Sequence, residues 1–417
     1  MRYIKFFGTK TSYKWEVLLL LWIAFFLNQA DRQVFNVVLP LIKSDLHLTD
    51  VQVGSIATVF NLVFALLVPF AGFVGDVLIK KWIVTGSILF WSVATMFTGV
   101  SNGLLMLILM RSLATGGGEA FFGPSSFTML ADYHKDTRAF AMSVQQTSYY
   151  VGIIVSGYLA GYIGDRWGWR NAFYIFGTAG VIHGLVLIWR LKDKTGSNTL
   201  AKKDAVRFSE GVRILLCTPT AMLLTIAYMG LIFVLVGYLT WMPTYLYERF
   251  HMNLSQAGFH SMFYTHLFAF IGVIIAGKYS DHVAKKNPAA RILMQGIGLL
   301  TAAPFIVLMG NSGSLVLIYI GLAGFGFARA FFDANTYTVL YDVIPQKYQS
   351  SVTGITMMAG FSVGALSPLI LGYIKTRAGL SLGISSLALV WVFCSLPLFV
   401  AYRYYFKKDY EIIHNSD

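Results

Sequence analysis

Twelve apolar stretches run along the chain, each long enough to cross a bilayer as a helix. A helical span needs about 20 mainly apolar residues to traverse roughly 30 Å of hydrocarbon. The approximate limits are 15–40, 51–76, 82–100, 103–131, 138–163, 170–190, 218–247, 255–280, 291–310, 313–341, 348–374 and 380–405. This feature alone predicts an all-α membrane protein with twelve transmembrane helices. Lipid offers the backbone no hydrogen-bond partners, so open strands cannot span it. A lipid-embedded barrel would show alternating segments of about ten residues, and none is present. Composition agrees. Only 12% of the 417 residues are charged, against about 25% in soluble proteins, too few to cover a soluble surface. Soluble enzymes and disulfide scaffolds are excluded. The two cysteines, Cys217 and Cys394, lie in or beside apolar runs. The first span is too long for a signal peptide and lacks a small-residue cleavage site, so it is expected to be retained.

The formal charge of +13 invites a nucleic-acid reading, which the placement of the charges removes. Cytoplasmic loops of membrane proteins are rich in Lys and Arg. With both termini cytoplasmic, 23 of the 32 basic residues fall on the inner side and 6 on the outer side. The basic character is therefore a topology signal. It implies a multi-pass protein with the lipid bilayer as its partner and no nucleic acid.

The segment 191–213 is the one long polar stretch between spans, and its charges are mixed. It divides the chain into an N-terminal six-helix bundle (1–190), a cytoplasmic linker (191–213) and a C-terminal six-helix bundle (214–417). An amphipathic helix on the membrane surface or a solvated tether both fit the linker. The halves echo each other. Gly72-Phe-Val-Gly-Asp76 with Lys80-Lys81 returns as Gly277-Lys-Tyr-Ser-Asp281 with Lys285-Lys286, 205 residues later. Glu119-Ala-Phe-Phe122 returns as Arg329-Ala-Phe-Phe332 after 210 residues. Gly161-Tyr-Ile163 with Arg166 and Gly168 returns as Gly372-Tyr-Ile374 with Arg377 and Gly379 after 211. Six-span repeats of one orientation predict a binding site between the halves near the midplane.

Gly72–Lys81 and Gly277–Lys286 resemble the loop motif G-x-x-x-D-x-x-G-R/K-R/K of the major facilitator superfamily. Both copies keep the first Gly, the Asp and two cations. Both lose the second Gly, which is Ile79 and Ala284, and the Arg after the Asp, which is Val77 and His282. Asn28-Gln-Ala-Asp31-Arg32 resembles the N-Y-x-D-R segment of the organic anion:cation symporters and the spinster-like transporters. Gly116-Gly-Gly-Glu119-Ala with Pro124 resembles their shared G-x-G-E-A…P segment. Asp132, Arg138 and Gly168-Trp-Arg170 with Phe173 fit the same pattern. Gln29 stands where Tyr is common, so any contact made by that Tyr does not carry over. The resemblance implies a secondary active transporter of the major facilitator fold.

Six charged residues fall inside spans: Asp31, Arg32, Arg111, Glu119, Arg329 and Asp333. Charges at bilayer depth cost at least about 2.5–3.5 kcal/mol each, which makes function the default reading. At about 1.5 Å per residue, Asp31, Arg32 and Arg111 share one depth in the first and fourth spans. An Asp31–Arg111 contact would leave Arg32 for a ligand. Arg111 and Glu119 are eight residues apart, roughly 12 Å on a regular helix, too far to pair. Arg32 suits a carboxylate held bidentately, with pairing to an acid such as Glu119 as the alternative. Glu119 is a candidate proton site because burial raises a carboxyl pKa; the alternative is a pair with a cation across the bundle. Asp31 is a second proton candidate. The resemblance implies the same roles: a matching Arg that binds the substrate's acid group and a matching acid in proton coupling. Arg329 and Asp333 are spaced to pair on one helix face, or to supply a second anion contact. Asp76 and Asp281 lie at inner span ends and are expected in gate pairs, with Arg111, Arg329 and Asp333 as further gate or structural charges.

Polar residues inside spans are candidates to read substrate hydroxyls: Asn28, Gln145, Gln146, Tyr149, Tyr238, Tyr264 and Asn335. The histidines lack metal-ligand spacing, so no metal is expected, and nothing implies a cofactor. No Walker loop, nucleophile elbow or HExxH occurs. Taken together, the residues predict a non-enzymatic, proton-coupled symporter of a small organic anion such as a hexuronate, an aldonate or sialic acid. A spinster-like lysolipid transporter or a proton-coupled exporter is the alternative. A monomer in a bacterial inner membrane is expected.

Overall fold

The computed structural model describes residues 3–6, 9–134, 137–192 and 208–414, with the backbone alone for residues 3–6, 9–12, 72–77, 138, 139 and 350. The six spans of the first half are α1 (Tyr13–Asp45), α2 (Asp50–Val77), α3 (Lys80–Gly99), α4 (Leu104–Tyr133), α5 (Arg138–Trp167) and α6 (Trp169–Arg190). A short helix, α7 (Phe208–Cys217), precedes the second half. There α8 (Pro219–Phe250), α9 (Leu254–Ala284), α10 (Ala290–Asn311) and α11 (Leu315–Val343) are followed by α12 (Gln349–Gly364) and α13 (Ser367–Ala378), which together form one span. α14 (Leu380–Val400) is the last span and leads through a widened turn into α15 (Phe406–His414). A small two-strand hairpin, Tyr3–Phe6 with Thr9–Ser12, stands before α1.

Eleven spans, among the described residues, are both long and apolar enough to cross a membrane. The helix that misses the criterion is α5. It has the length, at 30 residues, but carries Gln145, Gln146, Thr147 and Ser148 in a row. The expected linker lies in part at 193–207, outside the described residues. Its C-terminal end forms the start of α7.

The repeat read from the sequence is present in three dimensions. In the first half α1 packs on α5 and α3 on α6; in the second, α8 packs on α12 and α10 on α14. Lys80 at the start of α3 pairs with Asp132 near the end of α4 at 2.7 Å. Arg291 at the start of α10 pairs with Asp342 near the end of α11 at 3.2 Å. Gly168 and Gly379 have φ of 82° and 83°, a conformation open to glycine and strained for other residues. Each ends one span and starts the next in a single residue. His47 and His251 turn the chain before α2 and α9 with φ of 51° and 52°.

The chain divides into two compact units that are interleaved in sequence. One comprises Met1–Leu48, Val59–Asp204 and Asn253–Phe259; the other comprises Thr49–Thr58, Ala205–Met252 and His260–Asp417. The first turns of α2 thus count with the second unit, and the first turns of α9 with the first. Close backbone approach accounts for it. A Cβ on Gly161 would meet the Leu254 carbonyl carbon at 2.3 Å, and one on Gly372 would meet the Asp50 oxygen at 2.5 Å. Lys375 then bridges Asp50 at 3.0 Å and Glu248 at 2.7 Å.

Each unit has its own apolar core. In the first, Trp91 meets Phe122 edge-on at 5.2 Å, among Leu21, Val84, Ile88 and Leu187. In the second, Phe325 lies between Tyr238 and Trp391, at 5.1 and 5.0 Å.

Candidate functional site

The four charges deep within the spans of the first unit, Asp31, Arg32, Arg111 and Glu119, come together as two ion pairs. On α1, Asp31 and Arg32 are adjacent and point apart, as successive helical residues do. Arg32 donates from Nε to Glu119 Oε2 on α4 at 2.5 Å. Arg111 Nη1 lies 3.5 Å from Asp31 Oδ2, and its Nη2 donates to the Arg32 carbonyl at 3.2 Å. The Asp31–Arg111 contact anticipated from depth is therefore formed. Of the two readings left open for Arg32 and Glu119, the structure contains the pair.

Local sequence explains how α4 presents Arg111 and Glu119. The stretch Ile108–Thr115, which holds Arg111, is wound more widely than an α-helix, and Thr115 bonds back to the Met110 carbonyl. Widened turns of this kind occur often at functional sites. Gly116, Gly117 and Gly118 follow. A Cβ on Gly116 would meet Phe60 at 3.1 Å, and one on Gly118 would meet Phe90 at 2.8 Å. Without side chains at these positions α2 and α3 approach α4, and Glu119 is buried completely.

Aromatic rings from α2 and α1 complete the cluster. The Arg32 guanidinium lies over Phe64 at 4.1 Å, and that of Arg111 over Phe60 at 4.4 Å and Phe35 at 5.5 Å. Such cation–π contacts help hold a desolvated guanidinium. The sequence reading missed these three phenylalanines. The spacing of Phe60 and Phe64, one helical turn apart, was the available signal. Asp31, Arg111 and Glu119 are buried, whereas the Arg32 side chain keeps 23% of its surface exposed. Removing one member of a buried pair costs about 3–5 kcal/mol. Asp31→Ala should therefore lower the melting temperature of the detergent-solubilised protein markedly, and Asp31→Ala with Arg111→Leu should recover much of the loss. A single variant as stable as the parent would remove the structural role of the pair.

The other candidates divide by environment. Asn28 is buried, and its side-chain oxygen accepts from Gln29 at 2.8 Å; its amide nitrogen has no hydrogen-bond partner among the described residues. Gln145 donates to the Leu21 carbonyl at 3.0 Å, and its own oxygen is buried without a hydrogen bond among the described residues. Gln146 is exposed. Tyr149 meets Tyr150 edge-on at 5.4 Å. In the second unit Tyr238 is a core residue: it is 1% exposed, and its hydroxyl reaches the Ser261 carbonyl and Thr265 Oγ1. Asn335 is buried too, donating to Ser280 Oγ and the Phe331 carbonyl, both at 2.9 Å. Tyr264 stacks on Tyr319 at 4.5 Å and more loosely on His260. Arg329 and Asp333 pair at 2.9 Å on one face of α11, with Asp333 the more exposed partner. Asp281 pairs with Arg291 at 3.0 Å. Asp76 lies outside the residues whose side chains are described. No grouping of His, Cys, Asp and Glu fit for a metal occurs among the described residues.

A family model described as Major Facilitator Superfamily matches residues 21–368, most of the chain. The chain belongs to the Major Facilitator Superfamily. This major facilitator protein is 26% identical over 407 residues to a probable galactarate/D-glucarate transporter of Bacillus subtilis, covering 89% of the chain and 88% of that protein. It is 26% identical to a hexuronate transporter of the same organism, covering 88% and 89%. Spinster homolog 1 of Xenopus laevis is 27% identical, with 88% of the chain and 74% of that protein covered. Among solved structures, a bacterial homologue of the human lysosomal transporter Spinster, inward-facing and unoccupied, superposes with a TM-score of 0.82 at 21% identity. The match covers 96% of the chain and 99% of that structure. Family membership and transporter relatives make this chain a multi-pass membrane transporter and not an enzyme.

Proposed function

We propose that the protein moves a small organic anion, a sugar acid, together with protons by alternating access. The observation that carries this reading is the Arg32–Glu119 pair at 2.5 Å, with Glu119 fully buried and Arg32 partly exposed. Such a pair is an exchange element. An ionised Glu119 occupies the Arg32 guanidinium. A proton on Glu119 removes the countercharge and leaves a five-donor fork for a carboxylate. Anion and proton then enter as a unit, because each favours the binding of the other. Asp31 holds Arg111 and is the second carboxylate able to take a proton. Asn28 and Gln145, each with a buried polar atom still without a hydrogen bond in its own unit, are suited to hydroxyl-bearing substrates. The named sugar-acid transporters among the relatives support the same class. The basic inner loops support cytoplasmic termini, and the bacterial relatives support the inner membrane. The protein is read as working as a monomer.

The spinster relatives favour a second reading, transport of a lysolipid. The test is reconstitution of the full chain in liposomes with external pH recorded as hexuronates, aldonates, aldarates or lysophospholipids are added. External alkalinisation with a sugar acid, expected on the first reading, accompanies proton entry with the anion. A response to lysophospholipids alone would replace it with the second.

A further inference from the structure

A cleft lined by cations and aromatic rings lies at the end of the second unit that carries its basic loop. It has a volume of about 500 Å³ and forms where the α9–α10 turn meets the widened turn after α14 and the start of α15. Lys286, Arg403 and Lys407 line it, with Tyr402 and Tyr410 as aromatic walls and Glu411 as the single carboxylate. Glu411 stands 3.9 Å from Lys407, which leaves a local excess of two positive charges. The cleft takes no part in the Arg32–Glu119 site, and the transport reading does not use it.

The frame around it is built. Asp409 on α15 accepts the Thr220 amide at 2.9 Å and is buried with Phe406, which fixes α15 against the start of α8. The winding of Ala401–Tyr405 is widened, and Arg403 sits in it. Depth follows from α14. Phe393, Leu396 and Val400 face outward as large exposed apolar residues, and Tyr404 continues that line. An apolar face that ends in exposed tyrosine marks the boundary between hydrocarbon and headgroups. Arg403 is three residues beyond Val400, about 4.5 Å along the axis, so the cleft opens at headgroup level. A guanidinium fork with two ammonium groups matches the oxygens of a phosphate, and the volume falls in the range of ligand sites.

We propose that this cleft binds the phosphate group of an anionic phospholipid from the surrounding leaflet. Basic pockets at the headgroup level of membrane proteins act this way by combining charge with a fixed cavity. A soluble phosphate would meet the same cations but would gain nothing from the apolar face beside them.

The experiment is native mass spectrometry of the full chain in detergent, titrated with dioleoyl phosphatidylglycerol or dioleoyl phosphatidylcholine. Phosphatidylglycerol should be retained at least about tenfold more strongly than phosphatidylcholine, and each cation removed should reduce that preference about fivefold. K407Q tests this without disturbing packing, because the Lys407 side chain is 89% exposed. K286Q/R403Q/K407Q should abolish the preference while sugar-acid uptake persists. Equal retention of the two lipids, or an unchanged preference in the triple variant, would overturn the proposal. Displacement of phosphatidylglycerol by equimolar inorganic phosphate would overturn the lipid assignment in favour of a soluble anion.

Discussion

Arg32→Ala is expected to reduce sugar-acid uptake by more than about a hundredfold. A charge-assisted hydrogen bond contributes roughly 1.5–3 kcal/mol, and a bidentate carboxylate makes two, so removal of the fork costs at least about two decades in affinity. The measurement is uptake of a labelled sugar acid by proteoliposomes, with melting temperature recorded in parallel because Glu119 loses its partner. Arg32→Lys separates charge from geometry. An ammonium keeps the cation for Glu119 but not the planar fork, so this variant should fold as the parent does and transport weakly. Normal transport by Arg32→Ala would remove the carboxylate role altogether.

Glu119→Gln should separate substrate movement from proton movement. Glutamine resembles the protonated acid in shape and charge, so Arg32 stays available and binding persists. A gradient of one pH unit is worth about 1.4 kcal/mol per proton, a tenfold ratio. The parent protein with one coupled proton should therefore accumulate sugar acid about tenfold per pH unit. The variant should only equilibrate it, while still exchanging labelled for unlabelled substrate across the membrane. Accumulation by the variant at the parental level would move proton coupling elsewhere, first to Asp31.

The architecture was legible because lipid imposes simple rules. Span length, the basic loops and the polar segment after Arg190 each follow from one physical requirement. Repeated glycines located equivalent turns, and Gly168 and Gly379 prove to share one backbone conformation. Depth counting placed Asp31 beside Arg111, since the widened winding of α4 begins only at Ile108 and changes the rise little before Arg111. It could not select between substrate and Glu119 as the partner of Arg32, because side-chain direction is set by tertiary packing. The phenylalanines beneath the guanidiniums escaped notice because Phe60 and Phe64 read as ordinary span residues. Tyr238 and Asn335 looked like hydroxyl readers because a polar residue in a span needs a partner. Their partners are the Ser261 and Phe331 carbonyls and neighbouring hydroxyls of the same unit. Span α5 shows the opposite limit: the sequence reading accepted it on length and position, although its glutamines dilute its apolar character.

The pairing of Asp31 with Arg111 and of Glu119 with Arg32 has an electrical consequence. Two acids and two bases sum to zero, and the Arg329–Asp333 pair adds nothing. A unit charge carried through the membrane field exchanges about 2.3 kcal/mol per 100 mV. A neutral cluster exchanges none, so the voltage does not bias the return of the unloaded carrier. One proton arriving with one monovalent sugar acid preserves that balance, which leaves the pH gradient as the driving force. A doubly charged sugar acid with a single proton would upset it, and its uptake would slow as the interior becomes more negative.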